Sequence, residues 1–121
     1  MAFELFCYSV ANLEGVTHVR PCRRADVVTG MVLVYRNGTR ASLGWVSLDR
    51  LGEPKAVDNF GMWIAVTKSN LDFPRVTGIF YSRPEDGKYL HVRWHGKLEW
   101  WFSTRQCKLH HNGEHTIETR L

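Results

Sequence analysis

Turn signals recur along this chain between short segments that alternate apolar and polar residues, and this recurrence constrains the fold more than any other feature. Asn37-Gly38 separates Thr29–Arg36 from Thr39–Val46, with Gly supplying the positive backbone angle that a two-residue turn demands. Such a turn sets Arg36 opposite Thr39, Val34 opposite Ala41 and Val32 opposite Leu43, with Met31, Leu33 and Tyr35 on the other face. A second series covers Val76–Phe102. There Pro84-Glu85-Asp86-Gly87 turns Gly78–Ser82 into Lys88–Trp94, and His95-Gly96 turns that strand into Lys97–Ser103. This meander predicts Val92 opposite Glu99, His91 opposite Trp100 and Leu90 opposite Trp101. The neighbouring indoles of Trp100 and Trp101 then point to opposite faces, one to the core and one to whatever covers the sheet.

Between these hairpins Met62–Thr67 alternates well enough for a further strand, while Asp49–Asn59 and Ser69–Pro74 read as loops. No window sustains apolar residues at helical spacing for three turns. The expected fold is therefore all-β, with antiparallel hairpins forming a sandwich, prism or barrel, in one domain over residues 1–121. A chain of 121 residues is large enough for one core and too small for a multidomain enzyme, and 44% hydrophobic with 23% charged residues excludes a disordered chain or a coiled coil.

The formal net charge of +4 is basic without being extreme, and only Arg20, Arg23 and Arg24 cluster. A nucleic-acid binder concentrates Lys and Arg into a stripe that neutralises several phosphates, so the pattern argues against that partner. Cys7, Cys22 and Cys107 are an odd count, which forbids a fully paired framework and leaves one Cys7–Cys22 bridge open. The start, Met1-Ala2-Phe3-Glu4-Leu5, carries an acid where a signal peptide needs a basic region, and no stretch approaches the ~20 apolar residues of a membrane helix. The expected setting is reducing, intracellular and cytoplasmic, with no membrane partner and with Asn37-Gly38-Thr39 a chance sequon.

Several stretches resemble known families. Val28-Thr29-Gly30-Met31-Val32-Leu33-Val34-Tyr35-Arg36-Asn37-Gly38 followed by Leu43-Gly44 is similar to a hairpin of jacalin-like lectins, and Phe73-Pro74-Arg75-Val76-Thr77-Gly78-Ile79 to their strand carrying Pro-x-x-Ile-Thr-Gly. That resemblance implies a jacalin-like β-prism of three antiparallel sheets and sugar binding through loops. The family's C-terminal Gly-x-x-x-Asp motif has no counterpart in the closing Asn112-Gly113-Glu114-His115-Thr116-Ile117. The string Gly96-Lys97-Leu98-Glu99-Trp100-Trp101-Phe102-Ser103-Thr104-Arg105-Gln106-Cys107, with Gly44–Pro54 and Gly61-Met62-Trp63, looks like an uncharacterised fungal domain found within longer intracellular proteins. It implies context rather than chemistry.

Cys107, His110, His111 and His115 are the residue types that bind zinc. If Asn112-Gly113 makes a hairpin, however, His111 faces Glu114 and His110 faces His115, which puts His110 and His115 on one face and Cys107 with His111 on the other. Two ligands per face do not close a site, so a solvent-exposed, His-rich tail is preferred and no metal or cofactor is expected. A Cys107–His dyad lacks an identifiable orienting group. Among the acids, Asp49, Glu53 and Asp58 read as surface. Glu99, bracketed by Leu98 and Trp100, is the exception, either with a raised pKa or with a cross-strand partner such as Arg105 or His95, the latter preferred. Phosphate loops, nucleophile elbows and metalloprotease helices are absent.

The aromatic set Trp45, Trp63, Tyr81, Tyr89, Trp94, Trp100, Trp101 and Phe102 remains. Most of these rings are expected in the core, with at least one left exposed to stack on a sugar or anchor an interface. The His95-Gly96 register groups Tyr89, His91 and Arg93 with Leu98, Trp100 and Phe102, and His91, Arg93 and Trp100 then form a candidate ligand-binding patch. The expected function is a non-catalytic module that binds a carbohydrate or a protein, a self-complementary patch giving a homo-oligomer. The alternative is a small hydrolase or isomerase using a carboxylate or His in a β cavity.

Overall fold

The computed structural model describes residues 7–68, 74–85, 89–103, 106–112, 114–115 and 118–120. Among them, β1 (Cys7–Asn12), β9 (Lys97–Phe102), β10 (Cys107–His111) and β11 (Glu114–His115) form sheet A in the order β1-β9-β10-β11. Sheet B runs β4 (Arg40–Gly44), β3 (Val27–Tyr35), β2 (Val16–Arg24), β5 (Lys55–Ala56). In sheet C, β6 (Met62–Lys68) lies between β7 (Arg75–Phe80) on one side and β8 (Tyr89–Val92) with β12 (Glu118–Arg120) on the other. All pairings are antiparallel except the short one between β12 and β6. Among the described residues the fold is all-β, as expected, with one 3-10 turn (Leu48–Arg50).

Alternation places one face of each sheet in a shared core. Sheet B contributes Met31, Leu33 and Leu43, sheet C contributes Ile64, Leu90 and Val92, and sheet A contributes Leu98, Trp100 and Leu109. Ile79, Ile64 and Leu90 lie in one row across β7, β6 and β8, so each central aliphatic side chain is flanked by others on the buried side.

Three pairings differ from the sequence expectation. At Asn37-Gly38 the loop holds three residues rather than two, because Tyr35 N–H donates to Thr39 O (2.9 Å) and Gly38 alone takes the left-handed angle, at φ +88°. This is the turn-plus-bulge solution, and it slips the register by one. Leu33 therefore faces Ala41, and Leu43 joins Met31 on the core side.

The meander is likewise replaced by crossovers. β7 and β8 do not pair with each other; both pair with β6, while Asp86 and Gly87 of the expected turn lie outside the described residues. Nor does His95-Gly96 make a hairpin. The chain there leaves sheet C for sheet A, Leu13 N–H bonding Gly96 O at 2.9 Å, and β9 pairs with β1 and β10 instead of β8. Trp100 faces Ser9 and Leu109, while Glu99 faces Val10 and His110.

Gly44 holds the seam between sheets A and B. Its φ is +71°, a Cβ there would lie 2.4 Å from Thr29 O, and its N–H donates to Ser9 Oγ on β1 at 2.8 Å. The three cysteines are free: Cys7 is exposed on sheet A, Cys22 is buried on sheet B and Cys107 is buried on β10, so the Cys7–Cys22 bridge is not formed. Among the described residues no helix is long and apolar enough to cross a membrane.

Candidate functional site

The outward face of sheet C gathers rings that alternation keeps out of the core. Register puts Phe80, Trp63 and His91 in one row across β7, β6 and β8, and Gly78, Ala65 and Tyr89 in the next. His91 stacks flat on Trp63, ring centroids 4.4 Å apart and planes 3° from parallel. The Phe80 ring folds over Gly78, where a Cβ would lie 2.9 Å from it, and Tyr89 meets Phe80 edge-on at 5.5 Å.

One short segment is locked onto this face. Asp58 Oδ1 accepts from the N–H of Phe60 (2.9 Å) and of Gly61 (3.4 Å), the local turn that Asp forms two residues ahead of itself. His91 Nε2–H donates to Phe60 O at 2.7 Å, since a carbonyl can only accept. The turn presents Phe60 to solvent at 71% exposure. A recess of about 930 Å³ opens here, floored by Trp63, Tyr89 and His91 and bordered by Asp58, Phe60, Arg83, Glu85 and Arg93. Charges of both signs thus surround an aromatic floor.

Of the residues grouped from the sequence, His91 and Arg93 line this recess together. Trp100 does not join them: it lies on β9 of sheet A, with 0% exposure, in the core. The grouping depended on pairing β8 with β9, and that pairing does not exist. Phe60 and Phe80 were not singled out by sequence. The turn chemistry of Asp58-Asn59-Phe60-Gly61 is the signal that could have identified Phe60, because an Asp two residues before an aromatic fixes that ring at a loop apex.

The Cys/His-rich segment is strand rather than exposed tail. The pairs His110–His115 and His111–Glu114 form as the turn predicts, and Cys107 and His111 share the buried face. His111 is 2% exposed and fully used: Nδ1–H donates to Lys97 O (3.2 Å), and Nε2 accepts from Arg93 N–H and Asn112 Nδ2, both at 3.2 Å. It ties the β8–β9 crossover to β10. Burial pushes the Cys107 thiol up, outweighing the backbone of Val76 and the indole of Trp100, so Cys107 is not poised as a thiolate nucleophile. Among the described residues no three His, Cys, Asp or Glu side chains converge as metal ligands would.

Glu99 has a cross-strand partner in His110 rather than His95, while Arg105 lies outside the described residues. Glu99 Oε1 accepts from His110 Nδ1 at 3.0 Å and Oε2 from Tyr8 OH at 2.7 Å. His110 first and Tyr8 second hold its carboxyl below the usual carboxylate range, the opposite of the rise expected from apolar neighbours. Searches against protein-family models, curated proteins and solved structures find no match to this chain.

Proposed function

We propose that the chain is a non-catalytic binding module that recognises a carbohydrate or a protein partner through the outer face of sheet C. The observation that carries this reading is the aromatic floor of Trp63, His91 and Tyr89 set beside exposed Phe60 and bordered by Arg83, Glu85 and Arg93. Rings supply contact area at low entropic cost, and the surrounding charges supply orientation. A binding role is favoured over the small-enzyme alternative because the recess's Asp58 and His91 are both engaged in holding the 58–61 turn. The carbohydrate form draws on the jacalin-like resemblance of Val28–Gly44 and Phe73–Ile79.

A glycan array with the intact chain, paired with sedimentation over a range of concentrations, tests the proposal. Glycan binding or self-association that disappears in Phe60→Ser, with the melting temperature held, supports it; Phe60 is exposed, so its loss costs only about 0.5 kcal/mol of stability. Binding or association that survives both Phe60→Ser and Trp63→Ala places recognition elsewhere and rejects the proposal.

A further inference from the structure

The outward face of sheet B differs in kind from that of sheet C. Its rows read Arg20–Val32–Ser42 and His18–Val34–Arg40, with both valines on the central strand β3 and the basic residues on its flanks. After β4 the chain crosses this face as the 3-10 turn Leu48–Arg50 and returns along the edge of β2. The crossing is tied down by Ser47 N–H to Cys22 Sγ at 3.5 Å and by Gly52 N–H to Pro21 O at 2.8 Å. Arg20 Nε donates to Gly52 O at 3.0 Å, which fixes that guanidinium at the wall. The result is a groove of about 550 Å³, within the roughly 300–1,000 Å³ typical of small-molecule sites. Leu48, Leu51 and Pro54 wall it above the valine floor, and no Asp or Glu lines it among the described residues.

We propose that this groove binds the anion of a long-chain carboxylic acid, its chain along Val32 and Val34 and its carboxylate against Arg20 or Arg40. Two observations choose this occupant. The charge is one-sided: two permanent cations and a histidine face an apolar floor with no lining acid, so an anionic head is favoured and a cationic one repelled. The floor also lacks backbone partners, because β3 is paired on both edges. A peptide laid across it would leave its own N–H and C=O groups unmatched, whereas an alkyl chain brings none. Leu48, 87% exposed on a segment anchored at both ends, has the placement of a side chain that covers a bound chain. This site is independent of the sheet C reading.

The test titrates the intact chain with sodium dodecanoate below its micelle concentration, following backbone amide shifts, with dodecyltrimethylammonium as the charge control. The expected result is saturable shifts at Val32, Val34 and Arg40, with the cationic probe at least about tenfold weaker, the effect of losing one charge-assisted hydrogen bond. Leu48→Ser and Arg40→Glu, both at exposed positions, should each weaken dodecanoate about tenfold while the melting temperature holds. Equal affinity for the two probes overturns the proposal, as do shifts confined to the sheet C recess. Binding to anionic phospholipid vesicles without binding to monomeric dodecanoate assigns the face to a membrane and overturns it too. Concentration-dependent dimerisation abolished by Leu48→Ser assigns it to a second copy, with the same consequence.

Discussion

The outer faces of sheets A and C both carry exposed rings, yet only sheet C sets them in a walled recess. On sheet A, Tyr8 lies 5.0 Å from Trp101, and its hydroxyl, Glu99 and His110 satisfy one another across β1, β9 and β10. On sheet C, His91 holds a loop in place, and the loops around it raise walls over the rings. Among the described residues no side-chain hydrogen bond engages Arg83, Glu85 or Arg93 at that rim. Exposed aromatic area alone does not define a binding surface. Polar groups still open to a partner, set above a walled floor, make the difference.

That contrast can be broken by mutation. Trp100→Ala removes a ring from the buried side of β9 and should cost about 3–5 kcal/mol, lowering the melting temperature by roughly 10–20 °C. Trp63→Ala removes a half-buried ring and its His91 stack, for which about 1–2 kcal/mol is expected in the same thermal melts. If Trp63→Ala costs as much as Trp100→Ala, the sheet C rings are structural and the two outer faces are alike.

The smallest effect concerns sheet A and shows only in acid. Glu99 is held below its ordinary value of 4.5, so the folded chain binds this proton more weakly than the unfolded chain. Its contribution is therefore complete above the unfolded value and is lost as pH falls through the folded one. Glu99→Gln should flatten that part of the stability–pH profile below pH 4.5, as read by urea unfolding at a series of pH values. A profile unchanged by Glu99→Gln would mean that the Tyr8–Glu99–His110 contacts add nothing in solution.

Alternation within a strand was legible in the sequence, and so was local turn chemistry. The opposite facing of Trp100 and Trp101 and the His110–His115 pair emerged as read, because both depend on residues close along the chain. Sheet partnership was not legible. β2 is interrupted by bulges at Val16/His18 and Cys22/Arg23 and contains Pro21, so its core residues Val16 and Val19 lie three apart rather than two, while Cys22, on the other face, is buried against the Ser47 segment. β1 shows alternation of a kind that many exposed segments share, with only Ala11 buried. With those strands unseen, β8 and β9 were paired to each other, which pulled Trp100 into a patch it does not join. His91 and Arg93 still line one recess, because their own faces do not depend on that pairing.

The pairing of β1 with β9 has a consequence for how the chain acquires its shape. Tyr8 and Glu99 are 91 residues apart, and the whole ladder between the two strands closes a loop of that order. Contacts this distant in sequence are entropically late and slow a fold's formation. At synthesis rates of about 5–20 residues per second, β1 leaves the ribosome roughly 5–18 s before its partner exists. During that interval its N–H and C=O groups stand unmatched as a bare strand edge, open to chaperones or to another nascent chain.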